Sequence, residues 1–199
     1  MTTKFIVATL SLGLITAASA GTQFGIGLGG YKGTNFDEPG YGINAELGGL
    51  YDQAPVDLFT GFKATYVDGL SDGGTILGSD TDMDLFEGSF VARVLFPLGN
   101  EHIKLYGEGS VGAANLQVSG KASARAKVGG REFSINSRFD ENTWVLSWGL
   151  GAGVQLDLTP NIGIRAGYSF QSFGDVEIFG LKEDPGSLHG FNASLVFKF

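Results

Sequence analysis

Six ionisable residues occupy the polar side of segments that otherwise alternate apolar and polar: Glu46, Lys63, Glu87, Arg93, Glu108 and Arg165. Confined charges of both signs are tolerated where they pair, so this set reads as the ionic and hydrogen-bonded filling of an enclosed space. The same six would line a narrow, gated ion pathway if water entered, and the residues alone leave both readings open. A second set is basic and clustered. "GKASARAKVGGREFSINSRF" holds Lys121, Arg125, Lys127, Arg131 and Arg138 against a single Glu132, in a chain whose net charge is −8. Such a run suits phosphate or sulfate groups, whereas the overall acidity argues against a nucleic-acid partner. A third set is acidic: Asp68, Asp72, Asp80, Asp82 and Asp84. "DTDMD" starts as a calcium loop starts, but Leu85 stands where that loop needs Gly, and its bidentate Glu is missing. No metal and no cofactor are expected. The chain has no cysteine, which removes disulfides and thiol nucleophiles.

These residues need elements to position them. Eight segments alternate with a period of two, near 22–32, 41–51, 56–67, 83–96, 102–117, 143–158, 162–173 and 187–199, which is the period of a strand. In the sixth, Trp144, Leu146, Trp148, Leu150, Ala152, Val154 and Leu156 face away from Ser147, Gln155 and Asp157. Three connections are tight (52–55, 98–101, 159–161) and four are long (33–40, 68–82, 118–142, 174–186), in strict alternation. That is the rhythm of an antiparallel meander. All five prolines fall in connections or at a strand end, where no ladder bond is lost. "KVGGRE" is a hairpin tip, so the basic connection is expected to prolong a hairpin.

Alternation alone does not say which face is inside. The polar face is rich in Gly, Ser and Asn and carries few charges, unlike a water-washed surface. Aromatics on the apolar face gather at strand ends: Tyr41, Tyr66, Phe86, Trp144 and Phe170 at one, Phe24, Tyr51, Phe96, Phe197 and Phe199 at the other. Those are the two girdles of a membrane barrel, and the strand lengths suit a tilted bilayer crossing. In lipid an open sheet edge has no partner for its N–H and C=O groups, so the sheet must close. The expected fold is all-β: an eight-stranded, antiparallel, up-and-down transmembrane β-barrel over 21–199. Residues 1–20, with Lys4, an apolar run and Ala18-Ser19-Ala20, read as a signal peptide.

This pattern resembles the small bacterial outer-membrane barrels, namely the transmembrane domain of outer-membrane protein A and the opacity and Ail-type proteins. The resemblance implies export through the periplasm to the outer membrane, with both termini in the periplasm and four loops outside. It implies contact with outer-membrane lipid and lipopolysaccharide, and a terminal strand whose Phe197 and Phe199, flanking Lys198, are read by the assembly machinery. The basic loop would then meet lipopolysaccharide phosphates or a host or surface ligand such as a sulfated polymer. A structural or adhesin-like, non-enzymatic role is expected, with a narrow channel as the alternative. A lipid-modifying enzyme fits less well. A deacylase of this scaffold needs a His-x-Ser pair, but His102 precedes Ile103-Lys104 and His189 precedes Gly190-Phe191.

Overall fold

Strand follows strand in the computed structural model, which describes residues 21–36, 38–53, 55–73, 80–128, 131–178, 181–183 and 186–199. In chain order they are β1 (Gly21–Gly33), β2 (Gly40–Gln53), β3 (Val56–Gly73), β4 (Asp80–Leu98), β5 (Asn100–Val128), β6 (Arg131–Asp157), β7 (Ile162–Phe173), β8 (Val176–Ile178), β9 (Leu181–Glu183) and β10 (Ser187–Lys198). Eight of them form a closed antiparallel barrel in the order β1-β10-β7-β6-β5-β4-β3-β2, while β8 and β9 make a separate small hairpin. The fold is the eight-stranded up-and-down barrel expected from the alternation.

Closure is a matter of backbone. β1 pairs with β2 on one side and β10 on the other, with Phe24 opposite Phe197 at the seam. Thr22 and Phe199 exchange two backbone hydrogen bonds there, of 3.0 and 2.8 Å. The faces follow the period of two. Leu146 is 77 % exposed and its neighbour Ser147 2 %, so apolar side chains point out and polar ones in. The tight turn between β4 and β5 rests on Gly99 with φ +67°, a conformation that only glycine adopts cheaply.

The strands outrun the alternation. The ladder of β3 with β4 continues past a register shift at Val67/Leu70 to Gly73↔Asp80, and that of β5 with β6 runs to Val128↔Arg131. Much of what was expected as loop, 68–82 and 118–142, is therefore strand, and part of 174–186 is the β8–β9 hairpin. Apolar–polar alternation needs two different surroundings; backbone pairing does not, because each N–H and C=O needs only a partner. The acidic segment likewise corrects to strand. Asp82 and Asp84 lie in extended β4, which cannot wrap its carboxylates around an ion. Residues 1–20, read as a signal peptide, lie outside the described residues. So do the side chains of Lys121, Arg125, Lys127, Arg131 and Arg138, although the backbone of all five lies in β5 or β6.

Candidate functional site

Inside the barrel, Arg93 on β4 is the hub. Its Nε donates to Glu108 at 2.9 Å, its Nη1 to Glu46 at 3.0 Å, and its Nη2 to Glu46 at 2.8 Å and Glu108 at 2.6 Å. Lys63 adds a bond to Glu108 at 3.2 Å, and Arg165 pairs with Glu46 at 2.7 Å. Alternation on β2, β3, β4, β5 and β7 sends all five side chains inward. Glycines opposite them leave room: a Cβ on Gly25 would stand 2.8 Å from Glu46, and one on Gly151 2.7 Å from Glu108. Glu87 faces the same lumen but stands apart. Its carboxylate accepts from Ser147 Oγ at 2.8 Å and from Gln171 Nε2.

Apolar layers bracket this centre. Towards the tight turns lie Phe59, Val91, Leu95 and Tyr106, with Leu50 against them. The Arg93 guanidinium sits over Phe59 and Tyr106, 5.0 and 5.3 Å from the ring centroids, where the ring faces attract cations. Tyr106 itself lies flat on the wall because Gly153 and Gly167 offer no side chain. A Cβ on Gly167 would overlap the tyrosine oxygen. Towards the long connections, Tyr31, Val67, Leu70, Met83, Leu85 and Leu116 belong to a larger buried cluster that caps the lumen. Below everything, at the tight-turn mouth, Lys104 bridges Asp57 at 2.6 Å and Asp157 at 3.4 Å, and Lys198 reaches Asp157 at 2.6 Å.

The lumen is thus filled in tiers: ionic mouth, aromatic floor, ionic centre, apolar cap. The space left around the centre is about 10 Å³, no more than a single water requires. A hydrated ion moving through would have to shed water at two apolar tiers, at a cost with no charged partner to offset it. Sequence reasoning placed Glu46, Lys63, Arg93, Glu108 and Arg165 on the inner face but missed both apolar tiers. Leu85, Leu116 and Phe59 sit on polar-face positions, and a search for outward apolar residues passes over them. It put Asp57 and Asp157 on the polar face without seeing that Lys104 pairs with both. The inward, period-two position of Lys198 on β10 was the available clue to that mouth.

The outer face carries a cluster in which the order of His-x-Ser is reversed, Ser187-Leu188-His189. Ser187 and His189 share the outward face of β10, with Ser187 Oγ 3.5 Å from His189 Nε2. His189 Nδ1 shares a hydrogen bond with the hydroxyl of Tyr168 on β7. Among the described residues no group of His, Cys, Asp and Glu could hold a metal ion. Phe197 packs on Phe24 with ring centroids 6.2 Å apart, and Phe199 is 79 % exposed.

Comparison with known proteins points one way. The family model described as "Outer membrane protein beta-barrel domain" matches residues 5–199. The structure is similar to that of Neisserial surface protein A, with a TM-score of 0.60 at 15% identity, covering 92% of this chain and 98% of that one. It is also similar to a major outer membrane protein from Thermus thermophilus, with a TM-score of 0.52 at 15% identity, covering 89% and 99%. No curated protein matches the chain.

Proposed function

The chain belongs to the outer membrane protein beta-barrel domain family and is an integral protein of the bacterial outer membrane, and on that premise we propose that it is a closed, non-enzymatic barrel that acts through its outer surfaces. The observation that supports this is the tiered lumen. The charges at its centre are paired and water has little room, so the interior serves stability, and interaction is left to the exterior. In this reading residues 1–20 are a signal peptide, the tight turns lie in the periplasm and the long connections lie outside. Phe197 and Phe199 are offered to the assembly machinery.

The β5–β6 hairpin is the surface we assign to partners. Its ladder runs from the aromatic girdle at Asn115↔Trp144 to Val128↔Arg131, a reach of roughly 40 Å at the usual rise per residue. Along it are Lys121, Arg125, Lys127, Arg131 and Arg138. A basic ribbon held clear of the bilayer by an acidic protein suits anionic polymers: lipopolysaccharide phosphates of the same surface or a sulfated host polymer. The test is binding of the refolded chain to immobilised heparin and to lipopolysaccharide, with and without Lys121→Ser, Arg125→Ser, Lys127→Ser and Arg131→Ser combined. The parent should bind with strong salt dependence and the variant should not. Equal binding by both would remove the adhesin-like role. A narrow channel is the competing reading, and it requires steady conductance of the parent in planar bilayers.

A further inference from the structure

Three buried polar atoms on one side of the lumen have no hydrogen-bond partner among the described residues: Gln23 Oε1, Gln155 Oε1 and Arg165 Nη1. Their residues are 0 %, 0 % and 3 % exposed, and a buried polar atom left alone bears the full loss of its hydration. The three belong to one neighbourhood. Gln155 on β6 stands directly opposite Arg165 on β7. Gln23 on β1 and Arg165 meet at one oxygen, Glu46 Oε1, which accepts from Gln23 Nε2 at 3.2 Å and pairs with Arg165 Nη2 at 2.7 Å. Neither amide can be turned to hide its oxygen, because its nitrogen is already given to a carboxylate: Gln23 Nε2 to Glu46 and Gln155 Nε2 to Asp157. A further such atom, Ser89 Oγ, lies on β4 opposite Lys63 and outside this group.

The same residues form a polar column that runs past the apolar floor. At the tight-turn mouth Lys198 holds Asp157, whose Oδ1 accepts from Gln155 Nε2 at 2.9 Å. From Gln155 the column passes to Arg165, whose guanidinium carbon lies 5.8 Å from the Tyr106 centroid, and so to Glu46. Its members stand on β1, β6, β7 and β10, whereas the floor residues Leu50, Phe59 and Leu95 stand on β2, β3 and β4.

We propose that ordered water is bound between Gln23, Gln155 and Arg165 and exchanges with the tight-turn mouth along this column. The three atoms select it. A guanidinium donor repels a cation, and two amide oxygens repel an anion. Water gives its hydrogens to the two oxygens and takes one from Arg165, which is within the two to four bonds usual for a buried molecule. The space beside Arg165 and the ionic centre is about 10 Å³, the scale of a single water. The apolar cap closes the far side of that centre, so exchange runs through one mouth. A barrel closed to ions thereby keeps an inlet for water.

The test is NMR of the refolded full chain in lipid nanodiscs, with guanidinium and side-chain amide nitrogens isotope-labelled and each variant first shown to be folded by its heat-modifiable gel mobility. Magnetisation transferred from water should reach Arg165 Nη and the side-chain amides of Gln23 and Gln155. At Arg93 Nε, which is given to Glu108, the transfer should be roughly tenfold weaker. Gln155→Leu removes one acceptor and blocks the column, so the Arg165 N–H groups should exchange with solvent roughly tenfold more slowly. Gln155→Met serves the same purpose if the leucine variant does not fold. Gln23→Leu removes the other acceptor from outside the path to the mouth, and it should weaken the transfer at Arg165 by a smaller factor. Absence of transfer to Arg165 in the parent would show that Nη1 closes directly on a glutamine oxygen and that no water is bound. Unchanged Arg165 exchange in the Gln155 variant would overturn the inlet, because water would then arrive by another path.

Discussion

Arg93 and Glu46, on the neighbouring but one strands β4 and β2, meet in a two-pronged pair: Nη1 to Oε1 at 3.0 Å and Nη2 to Oε2 at 2.8 Å. The pair is buried, with both side chains 1 % exposed. Fork-on-fork geometry of this kind fixes direction as well as energy. It also fixes which of the two residues the barrel can least do without.

Each glutamate of the centre is held by two cations, Glu46 by Arg93 and Arg165, Glu108 by Arg93 and Lys63. Replacing Arg93 with Met leaves each carboxylate one cation. Replacing Glu46 with Gln takes from Arg165 its one ion-pair partner among the described residues and from Arg93 its bidentate one. Glu46→Gln should therefore lower stability by about 3–5 kcal/mol if the site stays dry, and by more than Arg93→Met does. Urea unfolding of the barrel in lipid vesicles measures both, and the reverse order would refute the partner count.

The apolar tiers, rather than the charges, should decide conduction. The parent should be silent in planar bilayers, and Glu46→Gln combined with Arg93→Gln should leave it silent, because the cap containing Leu85 and Leu116 persists. Wetting both tiers, with Leu85→Ser and Leu116→Ser in the cap and Phe59→Ser and Leu95→Ser in the floor, should produce measurable conductance. Conduction by the charge variant alone would place the barrier at the ionic centre instead.

Tyr106 and Gly167 offer a test of packing. A Cβ at Gly167 would overlap the tyrosine oxygen, so Gly167→Ala must push the ring from its seat, at a cost of about 1–3 kcal/mol. Deleting that oxygen with Tyr106→Phe should recover most of the loss. A double variant no more stable than Gly167→Ala would show that backbone crowding, for example by the Ala152 carbonyl 2.7 Å away, is what matters.

The sequence carried the barrel plainly, because a lipid face and a packed lumen impose opposite demands on alternate residues. Trp144 through Leu156 show the alternation most cleanly. The same rule hid the interior. Leu85, Val91 and Leu95 lie on the inner face of β4 between Glu87 and Arg93 or beyond them, and a strand that is apolar on both faces leaves no periodic signal. Partners were equally out of reach. Arg93 and Glu46 are linked by strand order and register, which the sequence implies only once closure is known, and by tilt, which it does not print at all. The Ser187–His189–Tyr168 cluster needed the β7–β10 register, with Phe191 opposite Tyr168.

Lys198 and Phe199 separate stability from assembly at the end of β10. Lys198 points into the mouth and bonds Asp157 at 2.6 Å, while its carbonyl accepts from Asn161 Nδ2 at 2.9 Å. Phe199 is exposed, and its backbone exchanges two hydrogen bonds with Thr22. Lys198→Met removes one contact from a mouth that Lys104 still ties together. The pair is largely buried, with side chains 15 % and 9 % exposed, but Lys104 still faces the carboxylate, so the loss should be about 1.5–3 kcal/mol, that of one charge-assisted hydrogen bond. Insertion into the outer membrane should be unchanged, because the aromatic face of the strand is intact. Deleting Phe199 removes the two seam bonds, worth about 1–3 kcal/mol together, and an aromatic ring that the folded barrel hardly uses. If the assembly machinery reads that ring, outer-membrane levels should fall severalfold while refolding into vesicles is barely slowed. Pulse-chase of both variants in cells, beside refolding in vesicles, makes the comparison. Equal insertion of the Phe199-deleted chain and the parent in cells would mean that the ring serves only the seam.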